Sequence, residues 1–211
     1  MPEVSAKAFL GKILLWLPLS FATWYILASL LLWPVTLLVG VVFSLFYPGV
    51  IENVEQHGTL LDVNTRLSAD QAHRAQQPSG QQGGQLYFTL NPLKFGYCLP
   101  LLLALQLATP GKLVRKLGLF AIGAVILVPV QAWGIYFETL VTLVFKTGPM
   151  IAQSMGTTAL SREGIALAYQ LGVLILPSVT PVLIWAILNQ DFMVKLAGRP
   201  VENHASTDQS S

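Results

Sequence analysis

The sequence predicts an α-helical membrane protein with about four transmembrane helices, one interfacial helix and a small two-stranded β element in an extra-cytoplasmic loop. Two observations lead to this class. First, 54% of the 211 residues are hydrophobic and only 10% are charged, against about 25% charged residues in soluble domains. Second, uncharged stretches long enough to cross a bilayer recur along the chain. Most of the surface is therefore expected to contact membrane lipid, as the mean hydropathy of +0.62 also indicates.

Changes in composition divide the chain into four parts. An N-terminal transmembrane helix and an interfacial helix occupy residues 1–51, and a periplasmic β-segment with a flexible Gln/Gly-rich loop occupies residues 52–91. Three further transmembrane helices are predicted within residues 92–188, followed by a disordered cytoplasmic tail over residues 189–211.

The first part is an unusually long uncharged stretch. No charged residue lies between Lys12 and Glu52, a run of 39 residues. One helix of that length would measure about 58 Å, roughly twice the hydrocarbon thickness of a bilayer. Pro34 is therefore predicted to break or bend the helix. This gives a crossing over residues 13–33 and an interfacial helix over residues 35–47, with a hairpin of two crossings as the alternative.

The β-segment is the main polar region between the helices. Residues 59–67 and 85–91 alternate between apolar and polar side chains, which predicts two strands. Residues 75–84 are rich in Gln and Gly and predict a flexible loop. Two strands alone are marginal in water and leave open edges. Either a partner adds a strand there, or the strands fold back on this chain's own helices.

Three more crossings are predicted, over residues 95–109, 117–145 and 164–188. The first of them is close to the shortest helix that spans a bilayer. Pro177 and Pro181 lie in the last one, where they indicate either a kink or a broken helix at a transport site.

The distribution of basic residues predicts the orientation. Four crossings place both termini on one side of the membrane. Lys112, Arg115 and Lys116 crowd one short loop, and such loops are cytoplasmic in most membrane proteins. Both termini are thus expected in the cytoplasm, with the β-segment on the other side of the membrane.

Glu138 is the main candidate for a functional residue within a crossing, because an ionisable group there is costly unless it is paired, hydrated or protonated. Gln131 lies seven residues earlier, two helical turns away on the same face. The two side chains form either a polar stripe, as in a small transporter or channel subunit, or a wetted group at the outer membrane boundary.

Other chemistry is poorly supported. The small net charge of +2 shows no clustered basic face, so nucleic-acid binding is not expected. Cys98 lacks a base in the crossings, because His57, His73 and His204 all lie outside them. The histidines have no metal-ligand spacing, and no nucleotide or hydrolase motif occurs. We expect no enzyme activity, cofactor or metal.

Several stretches resemble the exosortase H-associated membrane proteins of Gram-negative bacteria. Residues 90–105 read L-N-P-L-K-F-G-Y-C-L-P-L-L-L-A-L, in which a predicted strand runs into a short helix, as in that family's central signature. The motif L-L-W-L-P at residues 14–18, Trp24-Tyr25, and Q-A-W-G at residues 131–134 fit the same family.

The resemblance implies a partner role. Exosortases are membrane transpeptidase-like enzymes that process proteins carrying a C-terminal sorting tail. The Cys, Arg and His constellation of those enzymes is missing from the predicted crossings of this chain. The resemblance therefore implies a non-catalytic accessory protein that binds an exosortase-like enzyme or its substrate. The candidate partner-binding residues are Asn91, Pro92, Gly96, Tyr97 and Pro100.

Overall fold

A computed structural model describes residues 6–68, 85–146 and 158–196. Two π-helical turns occur, Thr142–Lys146 directly after one long helix and Leu171–Ile175 between two others. In chain order the helices and strands are α1 (Ala6–Phe46), β1 (Ile51–His57), β2 (Leu60–Ser68), β3 (Gln85–Leu90), α2 (Leu93–Gly96), α3 (Cys98–Ala108), α4 (Leu113–Val141), α5 (Ala159–Gln170), α6 (Leu176–Leu188) and α7 (Gln190–Leu196).

Three helical stretches are long and apolar enough to cross a membrane, namely Ala6–Phe46, Leu113–Lys146 and Ser161–Leu188. The predicted crossing over residues 95–109 corresponds to the shorter apolar stretch Leu93–Ala108, so the count of four crossings is not confirmed. Most side chains of α3 are buried against α1, α4 and α6. Because protein rather than lipid surrounds α3, this helix does not need the about 20 apolar residues of a lipid-exposed span.

The predicted break at Pro34 does not occur: residues 35–46 continue the first helix and do not form a separate one, and the alternative hairpin is wrong. α1 continues through Pro34 for 41 residues in all. Proline lacks an amide hydrogen, so one carbonyl in the preceding turn loses its usual donor. Gln56 of β1 reinforces this part of the helix: its Nε2 donates to the Ser29 carbonyl at 2.7 Å, and its Oε1 accepts from Thr36 Oγ1 at 3.2 Å.

The sheet has three antiparallel strands in the order β1-β2-β3, so the predicted count of two strands is wrong. β2 and β3 match the two predicted segments to within about one residue at each end. The missed strand, β1, reads I-E-N-V-E-Q-H and lacks regular alternation of apolar residues. It forms a hairpin with β2 through the two-residue turn Gly58-Thr59, in which Gly58 adopts a φ of 63°. Glycine takes up this left-handed conformation without strain.

One face of the sheet packs on the helices, so the strands fold back on the protein's own core. Val35, Val39 and Phe43 of α1 contact this face, and all three are almost fully buried. The rest of this core comes from the strands, α2 and α4: Ile51, Leu61, Val63, Leu90, Phe95, Ala132 and Ile135, with Leu143 of the π-helical turn that follows α4. The predicted flexible loop at residues 75–84 lies outside the described residues.

The predicted disorder after residue 189 is wrong for the first part of the tail, because α7 forms there. Phe192 of α7 packs edge-to-face on Phe9 with 5.1 Å between ring centroids, and Phe9 stacks on Trp185 at 5.3 Å. Phe192, together with the partly buried Met193 and Leu196, packs this short helix against the core. Residues 197–211 lie outside the described part of the chain.

The first turns of α1 and α4 come together at one end of the helical body, which we call the basic end. Lys12 lies close enough to Lys116 for their charges to interact, and Lys116 Nζ donates to the Leu107 carbonyl at 2.8 Å. The contact of Phe192 with Phe9 brings α7 to the same end. The opposite end carries the sheet and is called the sheet end.

Candidate functional site

The candidate site lies at the sheet end, where a single helical turn joins the sheet to the membrane helices. This turn, α2, directs Lys94 toward α4, and Lys94 Nζ forms an ion pair with Glu138 Oε1. The Glu138 side chain is only 10% exposed, whereas the Lys94 side chain is 37% exposed. The second carboxylate oxygen, Oε2, is buried and has no hydrogen-bond partner within the described residues. Glu138 is therefore largely buried and paired with a lysine.

Two aromatic rings help to hold the lysine. Lys94 Nζ lies 5.3 Å from the ring centroid of Phe95 and 5.8 Å from that of Tyr169 on α5. Both distances allow a cation–π attraction. The ammonium group thus contacts side chains from α2, α4 and α5. These contacts connect the three helices at the sheet end.

Gln131 occupies the buried face of α4 below the ion pair and is 2% exposed. Its Oε1 faces Gly96 of α2. A Cβ atom at Gly96 would lie 3.5 Å from this oxygen and 3.0 Å from Cζ2 of Trp24. The absence of a side chain at residue 96 therefore lets α2 fit between α1 and α4.

A second glycine contact fixes the position of α2. The ring of Phe95 rests on Gly134 of α4, where an added Cβ would lie 2.2 Å from Phe95 Cδ1. On the adjoining side, a Cβ at Gly172 would lie 3.2 Å from the Cα atom of Gly134. Gly172 belongs to the π-helical turn Leu171–Ile175, and such turns are frequent at functional sites. Because Lys94 directly precedes Phe95, this packing also fixes the position of Lys94.

The five residues predicted to bind a partner lie at this junction but are mostly internal. Pro92, Gly96 and Pro100 are buried. Tyr97 is half-buried, and its hydroxyl lies 3.4 Å from the Val173 carbonyl oxygen. Asn91 is exposed, and its Oδ1 accepts from the amide that begins α2 at 3.1 Å. The motif thus builds the joint between sheet and helices, and Asn91 has the most surface for direct contact.

In the part of the chain that the structure describes, no interaction joins Cys98 to a histidine. Cys98 is fully buried, and its Sγ lies 3.4 Å from the Phe95 carbonyl oxygen. His57 lies on the exposed face of the β1–β2 hairpin, with its Nε2 at 3.5 Å from Glu55 and 3.7 Å from Asp62. His73 and His204 fall outside the described residues. Within the described ranges no group of three acidic, histidine or cysteine side chains could hold a metal ion.

The sequence analysis missed the partner of Glu138. Lys94 precedes a short apolar stretch on the outer side, and Glu138 lies near the outer end of the next crossing. Both charges are therefore predicted at the same membrane level. An acidic residue within a membrane crossing usually has a partner, and Lys94 is the lysine predicted at the level of Glu138.

Three long apolar helices, a buried short helix and a small docked sheet define a polytopic membrane protein with a modest extramembrane part. The chain matches the family model of the exosortase H-associated membrane protein over residues 3–192. It therefore belongs to that family, which confirms the resemblance seen around residues 90–105. No curated protein and no solved structure matches the chain.

Proposed function

We propose that this protein is a non-catalytic accessory component of an exosortase-type protein-sorting system in the bacterial inner membrane, where it binds the sorting enzyme or its substrate. The family match carries this proposal, because it includes the helices and the sheet together. The contacts of Cys98 and Glu138 support a non-catalytic role. The Cys98 Sγ packs against a backbone carbonyl, and the Glu138 carboxylate is paired with Lys94.

The proposed orientation places the basic end in the cytoplasm and the sheet in the periplasm, according to the positive-inside rule. The outer face of the sheet carries Glu55, His57 and Asp62, which need water, so this face is expected outside the hydrocarbon on that side. Tyr87 on the same sheet is 71% exposed. A cysteine at residue 87 in a Cys98→Ala chain should react with an impermeant maleimide added to spheroplasts; reaction only after lysis would contradict the orientation.

Co-purification tests the partner role. The full chain, tagged at its C-terminus and extracted from native membranes in mild detergent, is expected to recover an exosortase, identified by mass spectrometry. The control is an unrelated polytopic membrane protein with the same tag and expression level. Recovery of no sorting component above this control would contradict the proposed function.

A polar path at Glu138 for a transported species is less well supported. The buried Glu138 Oε2 favours it, because this oxygen could accept a hydrogen bond from a ligand. The neighbouring oxygen is already occupied by Lys94, which neutralises the acidic charge. The ion pair therefore favours a structural joint over a conduction path.

A further inference from the structure

The contact between the β1–β2 hairpin and α1 marks where the hydrocarbon ends. Gln56, next to the hairpin tip, donates to the Ser29 carbonyl of α1 at 2.7 Å. Its neighbours Glu55, His57 and Asp62 are 52%, 64% and 31% exposed. Charged side chains with this exposure lie outside hydrocarbon. The hydrocarbon region therefore reaches no further along α1 than about the level of Ser29.

The length of α1 leads to the same boundary. Lys12 lies at the basic end, and the 17 residues from there to Ser29 rise by about 26 Å. This is close to the hydrocarbon thickness of about 30 Å. The remaining 17 residues, 30–46, add about 25 Å. This second half of α1 projects beyond the hydrocarbon.

One face of the projecting half is apolar and exposed, although it lies outside the hydrocarbon. Trp33, Leu37, Val41 and Leu45 are 62%, 52%, 55% and 71% exposed. They follow one another at intervals of four residues and so form one continuous ridge, which we call the outer ridge. The sheet cannot cover this ridge, because it packs on the opposite face of α1.

A groove of small residues runs beside the outer ridge. An added Cβ at Gly40 would meet no atom within 4 Å, and Ser44, four residues later, is exposed. Small residues at this spacing allow a second helix to approach closely. The outer ridge and the groove beside it can interdigitate with the side chains of another helix.

We propose that the outer ridge docks an apolar helix of another membrane protein, one that also extends beyond the outer hydrocarbon boundary. The ridge carries no charge, so its occupant must be apolar. The exposed apolar face continues toward the membrane at Ile26 and Leu30, which are 79% and 70% exposed. An occupant that rises out of the bilayer beside α1 fits this continuity, whereas a soluble domain does not. The identity of this protein as the sorting enzyme rests on the proposed function.

Site-specific photo-crosslinking in native membranes tests the docking. A photoreactive residue placed at Leu37, Val41 or Leu45 of the full chain is expected to crosslink to an apolar helix of one membrane protein, with the linked peptide identified by mass spectrometry. The same residue at Val114, which is 84% exposed at the basic end, is expected to give no such product. Adducts with lipid alone, with a second copy of this chain or within the chain would overturn the proposal.

A matched pair of glycine variants separates docking from folding. Gly40→Leu fills the groove from a position where an added Cβ meets no atom within 4 Å, and it should lower the crosslink yield on the order of tenfold, the effect of losing about 1.4 kcal/mol of binding. Gly11→Leu is the control, because a Cβ at Gly11 also meets no atom within 4 Å in the same helix. An unchanged yield in the Gly40 variant would also overturn the proposal.

The outcomes distinguish the docking surface from the proposed function. If an exosortase co-purifies but the outer ridge crosslinks only to lipid, the docking proposal fails and the proposed function stands. If the ridge crosslinks to a helix of another identified membrane protein and no exosortase co-purifies, the docking surface stands and the proposed function fails.

Discussion

The two ends of the helical body bury polar groups of different kinds. At the basic end two fully buried hydrogen bonds join neutral side chains: Trp185 Nε1 donates to Thr109 Oγ1 at 2.9 Å, and Asn189 Nδ2 donates to Gln106 Oε1 at 3.2 Å. At the sheet end the buried interaction is the ion pair of Lys94 with Glu138.

This difference indicates at which end the buried polar groups cost more stability. Both ends leave buried polar atoms without a partner in the described residues: Gln106 Nε2 at the basic end, and Glu138 Oε2, Thr142 Oγ1 and Arg162 Nε at the sheet end. A neutral amide loses about 1–3 kcal/mol when unsatisfied, whereas a buried charge loses more. The basic end thus has the character of a structural core, and the sheet end is the better place to look for function.

The largest expected effect comes from breaking the ion pair. Lys94→Met leaves the buried Glu138 carboxylate uncompensated and should reduce the free energy of unfolding by about 3–5 kcal/mol. Glu138→Met should cost less, because the half-exposed Lys94 can turn its ammonium group to water. The double variant should recover most of the loss. Thermal unfolding in detergent measures all three, and equal losses in the two single variants would contradict the account.

An intermediate effect is expected from Gly134→Ala. The new methyl group meets the Phe95 ring, and overpacking of this kind costs about 1–3 kcal/mol. Because Lys94 moves with Phe95, partner recovery in the co-purification should also fall. Gly118→Ala is the matched control on α4, where a Cβ meets no atom within 4 Å. Similar thermal stability of the two variants would show that the Phe95 contact is not critical.

The smallest effect is expected at the basic end. Trp185→Phe keeps an aromatic ring beside Phe9 but removes the hydrogen bond to Thr109, at a cost of about 1 kcal/mol. The Thr109 hydroxyl retains its bond to the Leu105 carbonyl at 2.8 Å and so is not left unsatisfied. Partner recovery should not change. A marked loss of the partner in this variant would show that function is not confined to the sheet end.

The sequence was a good guide where the signal is local. Apolar runs identified the three long spans, and alternation of side chains identified β2 and β3. It failed where a distant contact decides the structure. Pro34 predicted a break or a bend, whereas the helix continues there and is hydrogen-bonded to Gln56, 20 residues away from Thr36. Likewise, the partner of Glu138 lies 44 residues earlier in the chain, beyond the reach of any periodic pattern.

The docking of the sheet on α1 and α4 has a consequence for biogenesis. The strands leave the ribosome before α4, yet α4 supplies Ala132 and Ile135 to the core that covers them. Until α4 is inserted, Leu61 and Val63 have only α1 to cover them. Until α4 is present, the hairpin is therefore expected to be partly unfolded, and residues 51–90 alone should not form a stable soluble domain.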